Sequence, residues 1–228
     1  MRWTRDLTGR FSRRPYYEPH ELDSACDQIV TKFLVDKYGE VRYPISTDDL
    51  TIMLEKEAVD LDLYYDFQND ETVEGVTEFD PQGAARVKIS RRISEIPHMV
   101  NRFRTTLTHE LFHVKFHGIL FVPFAGLATS GEHKAVCKRQ FMVNGSKSDW
   151  MEWQAAYGCG AILMPISALK TEIRTFFLER AIPQGARLHT SSSTGHALIV
   201  KVMAKFKVSY QAATIRLMQH NALTNRTV

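Results

Sequence analysis

His109-Glu110-Leu111-Phe112-His113 is an H-E-x-x-H motif. On a helix, residues four apart lie on one face about a turn from each other, so both imidazoles can point at one ion. A zinc–nitrogen distance of about 2.0–2.1 Å would close that two-point clamp. Glu110 sits one position along, displaced around the helix, where it can reach a water beside the ion. This is the spacing of a metal hydrolase, with His109 and His113 as ligands and Glu110 as the general base. The same pattern also arises by chance on surface helices, so the helix that carries it matters. From Asn101 to Gly118, residues Phe103, Leu107, Leu111 and Val114 run along one flank, and Gly118 stands where a C-cap would. An apolar back makes this a buried central element. Two histidines and a glutamate on such a helix would be costly to leave unpaired.

A catalytic zinc needs a third protein ligand and an open fourth position. The metzincin extension would place a glycine and then a histidine where this chain has Phe116 and Ile119, which excludes that class. The candidates further on are His117, Glu132, His133, Asp149 and Glu152. His117 lies roughly 80° around the helix from His109 and is better placed to support a ligand than to be one. Glu152 is the best candidate, because it opens a helical segment, Met151 to Met164, that Pro165 ends. An acid at a helix start is also favoured by the helix dipole alone.

Glu152-Trp153-Gln154-Ala155-Ala156-Tyr157, ending in Ile162-Leu163-Met164-Pro165, resembles the E-x-x-A…L-L-M-P signature of ImmA/IrrE-type metallopeptidases. In that family the signature follows an R-x-x-x-A-H-E-x-x-H helix, much as Arg104-Thr105-Thr106-Leu107-Thr108-His109-Glu110 stands here. The resemblance runs in order over about residues 50–222. It implies a zincin-like α+β fold, Zn2+ as cofactor, and Glu152 as third ligand in a His₂Glu site like that of the gluzincins. It also implies a regulatory endopeptidase whose protein substrate is a helix-turn-helix repressor of the Cro/cI (XRE) type, cleaved to release stress-response or mobile-element genes. There are departures. Phe112 replaces the glycine usual between the histidines, and Gly158-Cys159-Gly160 replaces a Phe-Ala-Ala-like run. Small residues facing a bulky Phe112 would be a compensating exchange of volumes. His189 and His196 flank a Ser/Thr-rich stretch and are candidates to stabilise an oxyanion.

The elements that must position these groups follow from periodicity. Apolar Leu22, Cys26, Ile29, Val30, Phe33 and Leu34 predict a helix over 18–38 closed by Gly39. Ser46 or Thr47 would cap a second helix through Leu54. Val59–Tyr65, Glu74–Phe79 and Ala85–Ile89 read as strands of a small antiparallel sheet. Residues 120–149 show no clear period, and 183–195 read as a mobile loop. Two last helices, about 196–206 and 210–222, resemble a helix-turn-helix. The fold class is α+β. The division expected along the chain is a basic tail (1–17), the metallopeptidase domain (18–190) and the C-terminal helical segment (191–228).

Length and composition agree. The chain has 228 residues, 44% hydrophobic and 24% charged, and a net charge of +3 too small to argue for nucleic acid or membrane. Cys26, Cys137 and Cys159 are odd in number and widely spaced, which suits a reducing cytoplasm. No apolar run is long enough to cross a bilayer. Arg2, Arg5, Arg10, Arg13 and Arg14 crowd the start, which reads as a loose solvated tail or as a contact with DNA or an acidic partner. The competing reading is a DNA-binding regulator, or an antitoxin-like interaction module, with a structural zinc. Against DNA binding, the second C-terminal helix offers Arg216 and little other cationic density, so only a weak DNA contact is expected.

Overall fold

The computed structural model describes residues 1–68, 70–80, 82–122 and 149–225, with the backbone alone over 134–138. Two units emerge, each from two stretches: Met1–Leu22 with Ser46–Cys159, and Asp23–Ile45 with Gly160–Val228.

The first unit begins with a hairpin where charge alone suggested a loose tail. Strands β1 (Arg2–Arg5) and β2 (Arg13–Tyr16) pair antiparallel. The Asp6 carboxylate fixes the turn, accepting from the amides of Thr8 at 3.1 Å and Phe11 at 3.0 Å. Phe11 is buried in a cluster with Phe79, Phe121, Trp150 and Met151. One buried aromatic ring anchors a ribbon whose arginines dominate its composition.

Helix α1 (Pro19–Tyr38) ends at Gly39, whose φ of 75° suits glycine, and contributes residues to both units. Ser46 caps α2 (Thr47–Glu55), accepting from the Asp49 amide. Strands β3 (Asp60–Tyr65), β4 (Val73–Phe79), β5 (Ala85–Ser90) and β6 (Lys134–Lys138) form a sheet in the order β3-β5-β4-β6. It is mixed, not antiparallel throughout as expected: β3 runs parallel to β5. The β4–β5 hairpin and β6 occupy both edges of β4. The earlier strand β3 therefore joins on the outer edge of β5, and period-2 patterning carries no information about its direction.

After the short α3 (Arg91–Glu95), α4 (Val100–Phe112) passes into a π-helical turn, His113–His117, and a 3-10 turn, Gly118–Phe121. Gly118 is thus no left-handed C-cap; its φ of −52° continues the helical path. Helix α5 (Trp150–Leu163) also spans both units.

In the second unit α6 (Ile166–Glu179) lies in a stretch for which no element was expected. Its signal is the spacing of Leu169, Phe176 and Phe177, all buried. The 183–195 stretch is pinned, with β7 (Leu188–His189) parallel to β8 (Leu223–Thr224). Ser192 caps α7 (Ser193–Phe206) and Ser209 caps α8 (Tyr210–Gln219). Arg216, the expected phosphate contact, is 1% exposed and pairs with Asp23 at 2.6 Å. A guanidinium so committed cannot meet DNA. The architecture is α+β, and among the described residues no helix is long and apolar enough to cross a membrane.

Candidate metal centre

Helix α4 is buried over Phe103–Phe112, apart from Thr105, and carries the motif at its C-terminal end. His109 and His113, one turn apart, send Nε2 atoms to within 3.1 Å of each other. Asp149 caps α5 through its Oδ1, which accepts from the Met151 amide at 2.9 Å. That cap places Glu152 in the first turn. Its Oε2 lies 3.1 Å from His109 Nε2 and its Oε1 lies 3.3 Å from His113 Nε2. All three residues are buried, and they form a group that could hold a metal ion. The donors fit a small cation: two imidazole nitrogens and one carboxylate oxygen lie within 4.8 Å of one another, and among the described residues no lysine or arginine contributes to the shift of the Glu152 carboxyl. Burial alone would raise the Glu152 carboxyl, but His113 and His109 outweigh it and hold the group well below the usual carboxylate range.

Glu110 interacts with all three donor residues and is tied to β4. Its Oε2 accepts from Thr77 Oγ1 at 2.6 Å. Burial raises its carboxyl, while His113, His109 and the Thr77 bond pull the other way without cancelling the rise. A carboxylate with raised proton affinity beside a candidate cation site is suited to take a proton from water. Gly75 makes room for it: a Cβ at that position would lie 2.5 Å from Glu110 Oε1 and 2.9 Å from Thr106 Cγ2. Neither Thr77 nor Gly75 was anticipated from sequence. The only trace is a glycine in the middle of a strand, which often marks close approach of another group.

The remaining candidates fall elsewhere. His117 lies beside the donors, its Nδ1 2.9 Å from His113 Nδ1 and its Nε2 3.0 Å from Gln154 Oε1. Burial first, then His113, hold His117 well below the usual imidazole range, so it is neutral. Asp149 is a helix cap and pairs with Arg10. Glu132 and His133 lie outside the described residues. His189 and His196 belong to the second unit, where they contact Ser191 and Tyr210. The expected volume exchange is present at Gly158, which faces the Phe112 ring, whereas Gly160 faces Arg216.

Comparison of the chain with protein-family models and with curated proteins finds no match.

Proposed function

We propose that this protein is a zinc-dependent regulatory endopeptidase with a zincin-like catalytic unit, in which His109, His113 and Glu152 hold the metal and Glu110 is the general base. The observation that carries the reading is the spacing of the three donors. Ligands about 2.0–2.1 Å from a tetrahedral zinc stand about 3.3–3.4 Å apart. The donor separations of 3.1, 3.1 and 3.3 Å approach that figure along all three edges.

A bound zinc would supply Lewis acidity, lowering the pKa of water toward about 7 and polarising a peptide carbonyl. Glu110, held by Thr77 at 2.6 Å, accepts the proton of the attacking water and returns it to the leaving amine. The buried walls around Glu110 keep the developing charges in a low-dielectric setting where such transfers are strengthened.

The proposed substrate is a helix-turn-helix repressor of the Cro/cI (XRE) type, and the support for it is the motif resemblance. The burial of Arg216 weighs against the DNA-binding alternative. The test is to incubate the purified chain, with zinc and separately with chelator, with the repressor encoded beside it, and to weigh the fragments by mass spectrometry. Zinc-dependent cleavage at one bond is expected. An intact repressor in both arms would overturn the reading.

A further inference from the structure

Hydrogen-bond polarity traces a path from the N-terminal hairpin to the candidate metal centre. The carbonyl of Pro15 in β2 can only accept. It faces Gln154 Nε2 at 2.9 Å, so the amide nitrogen must be the donor there. That fixes the other end of the amide: Gln154 Oε1, an acceptor, meets His117 Nε2 at 3.0 Å, and His117 must carry its proton on Nε2. A neutral imidazole with Nε2–H has a lone pair on Nδ1. His117 Nδ1 faces His113 Nδ1 at 2.9 Å, so His113 must donate from Nδ1. When neutral, His113 then keeps its lone pair on Nε2, the atom 3.1 Å from His109 Nε2 and 3.3 Å from Glu152 Oε1.

We propose that Gln154 and His117 are positioning residues for the metal centre: the Pro15 carbonyl sets, through them, which nitrogen of His113 carries the proton, and so presents the His113 Nε2 lone pair to the cation. This rests on the reading of His113 as a ligand. It gives the basic hairpin a role that its composition hides. The hairpin also grips the helix start on the other side of Glu152, where Asp6 Oδ1 accepts from Trp150 Nε1 at 3.1 Å. Two bonds from residues 1–16 therefore bracket the carboxylate ligand on α5, at 150 and at 154. The π-helical turn from His113 to His117 is part of the device, because such turns re-aim side chains within a helix and recur at functional sites. Partners of this kind fix ligand tautomer and orientation, and their loss lowers metal affinity by about 10–100-fold.

The experiment uses the full chain with ¹⁵N-labelled histidine, stripped of metal, at a pH high enough that both rings are neutral, and reads ring tautomers by long-range proton–nitrogen correlation. The wild type is expected to show His113 protonated on Nδ1 and His117 on Nε2. Gln154→Leu is expected to scramble that pattern and to weaken zinc binding by about 10–100-fold, measured by competition with a chromophoric chelator. His117→Phe should weaken zinc similarly, and the double variant should fall no further than either single one, because links of one chain are not additive. A wild-type His113 protonated on Nε2 overturns the proposal, as does zinc affinity unchanged in both well-folded variants. A wild type that binds no zinc overturns the ligand reading instead, while the tautomers still judge the relay.

Discussion

The ring of Phe112 occupies the place of a side chain at Gly158: a Cβ there would lie 1.9 Å from Phe112 Cδ2 and 2.2 Å from Cε2. The pair joins α4, which carries His109 and leads directly into His113, to α5, which carries Glu152. Phe112 is fully buried, stacks on Phe116 at 4.2 Å and meets His117 edge-on at 5.4 Å, so it has no room to retreat.

Gly158→Ala should therefore destabilise the protein by about 1–3 kcal/mol through overpacking, although alanine is the better helix former by about 1 kcal/mol. With Phe112→Ala already in place, the added methyl enters vacated space and should be neutral or stabilising. A double-mutant cycle by urea denaturation checks this. Equal destabilisation in both backgrounds would show that the two positions do not share volume.

Glu110 and Gly75 are coupled in the same way, with consequences for chemistry. Gly75→Ala places a methyl group against the Glu110 carboxylate and must push it from its position beside Thr77. A displacement of about 1 Å in a catalytic group can lower the rate about 100-fold. Thr77→Val leaves the space unchanged and removes only the hydrogen bond, so a smaller loss is expected. Zinc content should stay at the wild-type level in both. Loss of zinc with loss of cleavage would indicate a collapsed site and not a misplaced base.

Metal content separates the roles of the other residues. Glu110→Gln is expected to retain zinc and lose cleavage, whereas His113→Ala and Glu152→Ala should lose zinc as well. Elemental analysis of the purified variants decides it. Undiminished zinc in the Glu152 variant would remove that carboxylate from the ligand set.

The residues that come together at the site divide by how far their information lies along the chain. His109 and His113 are legible because a helical turn is a local property; Glu152 stands out at a helix start, and only the motif resemblance settles it against the other candidates. Thr77 and Gly75 are not legible, since they face Glu110 only through the packing of β4 against α4, 33 residues away in the case of Thr77. Gln154 meets the Pro15 carbonyl from 139 residues away, which no spacing rule reaches. A clue to it does exist: α5 is apolar nearly all round, so a glutamine buried on it must find partners. The parallel β3–β5 pairing and the anchoring of the hairpin by Phe11 were hidden for a related reason. Strand direction and burial of a charged ribbon are decided by neighbours, not by pattern.

The second unit has its own titrating element, at His220. Burial, reinforced by Arg216 and by Lys170 on α6, lowers its pKa from 6.5 to about 4, with Asp23 on α1 pulling the other way. An unfolded chain binds a proton at this histidine below about pH 6.5, while the folded chain does so only below about 4. Between those values the unfolded state holds more protons, so stability is complete above pH 6.5 and declines as pH falls toward 4. Since solvent still reaches the ring, the loss should be about 1–2 kcal/mol and not the full value of the shift. His220→Gln removes the titration. The difference in unfolding free energy between wild type and variant, measured by urea denaturation at successive pH values, should change through this window in favour of the variant as pH falls. Two curves that stay parallel from pH 7 to pH 4 would mean that the histidine titrates alike in both states.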